Sequence, residues 1–294
     1  MNNEELIDKM KEDMKMRNFS KYTYGAYLRI TKDVIRYFNK PLEEVTIEEL
    51  RNYLLKHLKD KRKLSDRSIN YYNSVIRFVY DVTLEKVINK KQLPMRKQKK
   101  EIYKVLTNEE LSTFFNAVDN FKYKTIFMLV YGSGLRIGEV VNLRIDDIDS
   151  KKMRIYVNKG KGRKERYTVL PESSLKMLRE YWSKYRQHKK GKQIFLNETG
   201  TAISEYVIRI HFRKYREKAK LNKKVTMHTL RHGFATKLIE EGASIIQVKE
   251  LMGHSNIRST MEYIHVANIE LTVKNPLLFN DSTILYNFLP IPCL

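Results

Sequence analysis

Cysteine is almost missing from this chain: Cys293 is the only one in 294 residues. An intramolecular disulfide is therefore impossible, and a cysteine-rich zinc site is excluded, which suits a reducing cytoplasm. No apolar run approaches the roughly 20 residues that a membrane-spanning helix needs. The opening MNNEELIDKMKEDMK is charged and lacks an apolar signal core, so secretion is not expected. The seven histidines form no HExxH pattern, and no phosphate-binding GxxxxGK(S/T) loop occurs. No internal repeat or low-complexity tract is present. Acidic residues are also in deficit: 34 Asp and Glu stand against 57 Lys and Arg, a formal charge of +23. An excess of that size attracts polyanions. Because it persists through both halves of the chain and between them, nucleic acid is the expected partner rather than a membrane.

What is present reads as helices first. Tyr27, Leu28, Val34, Ile35 and Phe38 make one helical stripe that Pro41 should stop. Thr46 and Glu49 form a capping-box pattern before Leu50, Tyr53, Leu54 and Leu58. A third helix follows Ser65 with Ile69, Tyr72, Val75, Ile76, Val79 and Tyr80. Such helices bury their stripes only against one another, which predicts a small bundle over residues 1–89. Residues 90–100, KKQLPMRKQKK, carry six basic residues, one proline and no acid, a composition suited to a linker over 90–102. A second domain, 103–275, starts near the Thr107/Glu110 capping pattern. It continues through an apolar helix (Ile126, Phe127, Leu129, Val130), the turn Gly132-Ser-Gly134-Leu-Arg136, and a hairpin over 153–170 with a basic loop. Helical patterns resume at 172–186, 204–220, 228–241 and 245–252, and a last helix is expected to carry Tyr263. Residues 276–294 form a sparsely charged tail. The fold class predicted is mainly α with a small β-hairpin or sheet.

Breaking a phosphodiester without a metal sets a definite demand. Negative charge grows on the non-bridging oxygens, which guanidinium forks match in geometry and charge. A nucleophile must lose a proton, and the departing 5′ oxygen must gain one. The chain offers such a set. His228 and Arg231 in HTLRH lie three apart on one helical face. Arg136 sits in GLRIGE past a glycine turn, Lys161 in the loop GKGRKER, His254 after Gly253, and Tyr263 in STMEYIHV. Each is an ordinary feature by itself: a surface arginine, a solvated helix face, an exposed turn, a packing tyrosine. Composition and spacing reach only a basic two-domain protein that binds DNA.

The order of GLRIGE, GKGRKER, HTLRHGFATKLIEEG and LMGHSNIRSTMEYIHV resembles the tyrosine recombinase (phage integrase) family, most closely its Xer-like and integron-like members. The resemblance spans about residues 20 to 266. It implies a helical core-binding domain followed by an α+β catalytic domain, closing on duplex DNA as a clamp. It further implies that Arg136 and Arg231 hold the scissile phosphate and that Lys161 protonates the 5′ oxygen, with Lys159 and Lys164 as competitors. His228 would accept or steer the tyrosine proton, and His254 would donate to the phosphate. Tyr263 would attack and hold the 3′ phosphate, while Glu139 would brace the arginine helix. A free phenol titrates near ~10, so it needs cations or a base close by. The reaction implied needs no cofactor, metal or ATP.

The family pattern also implies a homo-oligomer, a tetramer on DNA. Residues 267–275, with Ile269, Leu271 and Val273 as anchors, would dock on a neighbouring protomer. A related recombinase or a DNA-bending protein would be a further partner, and the cytoplasmic nucleoid the location. Two other enzymes are weighed: a metal-dependent nuclease or transposase using Asp146, Asp147 and Asp149, and a type IB topoisomerase. A regulator that has lost catalysis is a third reading.

Overall fold

The computed structural model describes residues 1–98, 105–158, 165–186, 191–221 and 225–267. The chain divides into two units, Met1–Glu101 and Ile102–Leu294.

The first unit is helical. Helix α1 (Asn3–Met16) is opened by a capping box between Asn2 and Glu5 and buries Leu6, Met10 and Met14 at four-residue spacing. Its dense charge hides this stripe in the sequence. Helix α2 (Lys21–Phe38) starts at the Ser20 cap and ends at Asn39, whose left-handed φ of 51° turns the chain before Pro41 is reached. Helix α3 (Ile47–Asn52) begins at the Thr46/Glu49 capping box and widens into a π-helical stretch, Tyr53–Lys61. Helix α4 (Asp66–Phe78) does likewise over Val79–Thr83. Asp33 ties α2 to α4 and to the end of the α3 segment, accepting from Tyr72 Oη at 2.7 Å and Arg62 Nη1 at 2.6 Å.

The beginning of the expected linker is not loose. Leu93 is buried. Arg77 donates to the carbonyls of Ile88 (2.7 Å) and Leu93 (2.5 Å), and Arg96 Nε donates to Asp66 at 2.6 Å. One buried leucine and a set of backbone acceptors hold this stretch along α4 despite its basic composition.

In the second unit, α5 (Asn108–Ala117) starts at the Thr107/Glu110 capping box. Helix α6 (Phe121–Ser133) buries Ile126, Phe127, Leu129 and Val130. A short α7 (Ile137–Asn142) leads to an antiparallel sheet of β1 (Ile148–Asp149), β2 (Arg154–Val157) and β3 (Arg166–Val169), in that order, with Tyr156 opposite Tyr167. Then follow α8 (Glu172–Tyr181), extended by Trp182–Arg186, and α9 (Glu205–Lys218). Helix α10 (Met227–Glu240) is buried around most of its circumference, from Met227 to Ile239. Helices α11 (Ile245–Met252) and α12 (Arg258–Met261) complete the described part. A mainly helical fold with one small sheet is thus observed among the described residues. Tyr263 does not lie in a helix. It sits in the turn after α12, its N–H donating to Thr260 O at 3.0 Å.

Helix α10 packs against α6 and α11, and α11 packs against β3. The close fit at the end of α6 depends on Gly134, which has φ +62°. A Cβ there would stand against the Phe234 ring of α10 and 3.2 Å from Met252 Sδ. Gly134→Ala is expected to destabilise the fold by about 1–3 kcal/mol through overpacking and backbone strain. Urea denaturation measures this, and an unchanged midpoint would show that the α6–α10 contact can give way to a methyl group at no cost.

Candidate active site

Arg136 is fixed by its neighbours: Leu135 and Ile137 are buried on either side of it. This anchors the residue at the start of α7 with its side chain 19% exposed. Glu139, in the first turn of the same helix, reaches back and accepts from the Arg136 N–H at 2.8 Å and from its Nη1 at 2.9 Å. The remaining Arg136 Nη2 donates to Gly253 O at 3.1 Å.

The same carboxylate receives a second guanidinium. Arg166, at the start of β3, donates Nη1 to Oε1 at 2.9 Å and Nη2 to Oε2 at 2.8 Å, while its Nε donates to Leu251 O at 2.8 Å. This is the bidentate fork geometry in which arginine binds carboxylates most strongly. A third, Arg231 of α10, brings Nη1 to 3.7 Å from Glu139 Oε2. Arg231 donates to the carbonyls of Gly134 and Met252, which close α6 and α11. Three guanidiniums around one carboxylate leave two positive charges in a half-closed site. Burial alone would raise the pKa of Glu139, but Arg166 and Arg136 hold it at about 2. Burial and the adjacent Arg136 lower Arg231 to about 9, which leaves it charged at neutral pH.

Gly253 makes this packing possible. Its φ of +60° ends α11, and a Cβ on it would lie 2.8 Å from Arg166 Cδ. His254 follows directly, with Nδ1 2.9 Å from Thr260 Oγ1 and its ring stacked 6.1 Å from that of Tyr263. Tyr263 itself is buried among Phe234, Val248 and Met252. Its hydroxyl lies 2.9 Å from Nδ1 of His232, on α10 beside Arg231. His228 is exposed on the same helix, 6.4 Å ring to ring from His232. Burial first, then His228 and Arg231, push His232 down to about 4. Burial and the three arginines do the same to His254.

Arg136, Glu139, Arg231, His254 and Tyr263 are thus brought together, with His228 on the rim. Lys161 lies outside the described residues, as do its competitors Lys159 and Lys164. Sequence reasoning missed two members, Arg166 and His232. The imidazole that touches the Tyr263 hydroxyl is His232 rather than the expected His228. The acidic turn is occupied with its own chain: Asp147 accepts from Arg144 N–H at 2.8 Å, and Asp149 from Lys152 N–H at 3.0 Å and Arg154 Nε at 3.1 Å. No metal-binding cluster of His, Cys, Asp or Glu occurs among the described residues.

The pattern describing the phage integrase family matches residues 104–270, and that of the phage integrase N-terminal SAM-like domain matches residues 6–90. The chain belongs to the phage integrase family. Among its relatives is y4qK of Sinorhizobium fredii, which carries the name of an integrase/recombinase. It is 34% identical over 264 residues, covering 89% of this chain and 84% of the relative. The tyrosine recombinase XerC of Natranaerobius thermophilus is 31% identical over 291 residues, covering 91% and 96%. The crystal structure of the XerA recombinase aligns at 25% identity with a TM-score of 0.53, over 89% of this chain and 93% of that one. XerH, solved bound to a palindromic difH substrate after cleavage, shares the fold at 20% identity and a TM-score of 0.72, over 87% and 80%. This phage integrase family member is of the Xer-like tyrosine recombinase type, an enzyme that breaks and rejoins DNA strands. Neither a metal-dependent nuclease nor a type IB topoisomerase is favoured by these relatives.

Glu139 generates a stability prediction. Its folded pKa, about 2, lies below the ordinary 4.5. Its contribution is therefore present above pH ~4.5 and is lost as pH falls through about 2. Glu139→Gln is expected to cost about 3–5 kcal/mol at pH 7, because buried guanidiniums lose their counter-charge. The gap between variant and unchanged chain, followed by denaturant titration, should narrow between pH 4.5 and 2. A gap constant across that window would refute the charge argument.

Proposed function

We propose that Tyr263 is the nucleophile of this site-specific recombinase and that Arg136 and Arg231 receive the scissile phosphate. The observation that carries the reading is the meeting of Arg136 and Arg231 on one largely buried carboxylate, with the stacked rings of His254 and Tyr263 beside them; the hydrogen bonds that anchor the two arginines span 117 and 97 residues. The phenol oxygen of Tyr263 bonds to phosphorus, and the bond to the 5′ oxygen breaks. The proton leaving Tyr263 passes to a nearby base, for which His228 on the rim is the candidate. The 5′ oxygen takes a proton from Lys161. The phosphate remains on Tyr263 as a 3′-phosphotyrosine, and attack by a 5′ hydroxyl reverses each step. The energy of the broken linkage stays in that ester, so resealing draws on no ATP.

The +23 charge of the chain supports duplex DNA as the substrate. In the N-terminal unit, a groove of about 590 Å³ lined by Arg29, Arg62, Arg67 and Tyr71 offers cations for backbone phosphates. Lambda integrase has been solved as a dimer on its core-site DNA. For this chain the working form proposed is a tetramer on two recombination sites in the cytoplasmic nucleoid, with 267–275 docking between protomers. That segment lies, apart from Ala267, outside the described residues, as does the tail 276–294. A related recombinase or a DNA-bending protein remains the proposed accessory partner.

Tyr263→Phe is expected to keep DNA affinity within about twofold and to abolish the covalent protein–DNA adduct, since the lost hydroxyl is the bonding atom. Denaturing gel electrophoresis after incubation with a cleavable duplex, recovered from a randomised pool with the unchanged chain, reads this out. An adduct formed by the variant would defeat the assignment. Lys161→Ala is expected to slow cleavage by on the order of 10²–10⁴-fold on ordinary DNA. On DNA with sulfur at the 5′ bridging position the slowing should largely vanish, because sulfur leaves without a proton. Equal slowing on both substrates would reject Lys161 as the acid.

A further inference from the structure

We propose that His232 is the positioning residue of the nucleophile: its Nδ1 accepts the Tyr263 hydroxyl hydrogen and holds the phenol oxygen in its attacking place. The inference rests on reading Tyr263 as the nucleophile. Three observations lead to it. The Nδ1–Oη distance is 2.9 Å, the optimum for a hydrogen bond. The two rings lie 5.5 Å apart, and the phenol ring is fixed by packing among Phe234, Val248 and Met252, so the hydroxyl is the part left to orient. Finally, His232 follows Arg231 directly on α10, and Arg231 is anchored to the carbonyls of Gly134 and Met252. A single helical turn therefore sets both a phosphate-binding guanidinium and the direction of the nucleophile's hydroxyl.

Holding is the role the surroundings allow. An imidazole kept neutral by burial, His228 and Arg231 is a good acceptor of a hydrogen bond and a poor acceptor of a full proton from a phenol. With Nδ1 accepting, Nε2 carries the ring hydrogen. The hydroxyl hydrogen then points at His232, and an oxygen lone pair is left for phosphorus. His232 thus supplies pre-orientation; as the phenol oxygen bonds to phosphorus, the hydroxyl turns its hydrogen away from His232 and gives it up to the base proposed above, His228.

Asparagine and glutamine separate holding from other roles. An asparagine amide places a polar atom near the position of Nδ1, whereas a glutamine amide places one near Nε2, and neither takes up a proton at working pH. The test measures adduct formation at saturating protein on the same pool-derived duplex, with DNA affinity and melting temperature alongside. His232→Ala is expected to slow cleavage on the order of tenfold to a hundredfold with DNA affinity unchanged. His232→Asn should restore most of the rate, and His232→Gln little of it. Should the alanine variant fail to fold, the Asn and Gln pair decides alone. Wild-type cleavage in His232→Ala overturns the proposal, and so does a His232→Asn chain that folds and binds DNA but cleaves no faster than His232→Gln. Tyr263→Phe, run in parallel, keeps the two readings apart. An adduct there removes the nucleophile assignment itself, whereas a silent Tyr263→Phe with an unaffected His232 series removes only this inference.

Discussion

Everything around the site hangs on one carboxylate. Glu139 receives Arg136, Arg166 and, at longer range, Arg231, and it is nearly buried while doing so. Two guanidiniums about 4 Å apart repel by about 4 kcal/mol at an effective dielectric near 20, so three in one pocket would not gather unaided. Glu139 neutralises one charge and leaves two. That remainder suits a phosphodiester, which arrives with one negative charge and gains more as it reacts. Arg166 takes both carboxylate oxygens and Leu251 O, so its role is to complete the frame. Arg136 and Arg231 are the two guanidiniums proposed to receive the phosphate, and Arg136 is the more exposed of them.

Helix ends supply the second support. Gly134 ends α6 and Gly253 ends α11, both in the left-handed conformation that glycine adopts without a Cβ penalty. The carbonyls freed there are the acceptors for Arg231 and Arg136. The partial negative charge at a helix C-terminus favours a cation at that place. A short sequence signal, glycine next to a helix boundary, thus becomes an electrostatic cradle once α6, α10 and α11 pack. Since the paired groups are 117 and 97 residues apart in the chain, the site exists only after the long-range topology forms.

How much of this was legible follows from physics. Capping boxes at Thr46 and Thr107 are local and were readable. So were the helical stripes of α2, α4 and α6, whereas the convergence of Arg136, Arg231, His254 and Tyr263 was readable only as what the family resemblance implies. Arg166 was hidden because β3 inverts the usual alternation: Tyr167 and Val169 are exposed, while Thr168 is buried and donates to Ser133 O at 2.7 Å. An apolar-in rule assigns Arg166 to solvent. His232 had a readable signal, since it is four residues from His228 and so shares its helical face, the same argument that selects Arg231. The α1 stripe and the buried Leu93 were masked by charge, because composition averages over faces that a helix or a docked segment separates.

The two histidines beside Tyr263 are both kept neutral first by burial and then by charged neighbours, of which Arg231 is common to both. For His254 the causes after burial are Arg231, Arg136 and Arg166, two of which are proposed to receive the phosphate. An anion bound there would offset those charges and raise the affinity of His254 for a proton, which suits its proposed role as a donor to the phosphate. For His232 the causes after burial are His228 and Arg231, so the same anion would bear on it through one guanidinium rather than three. On the proposal that Tyr263 is the nucleophile, the partner of its hydroxyl would feel the charge of the substrate through fewer guanidiniums than His254 does.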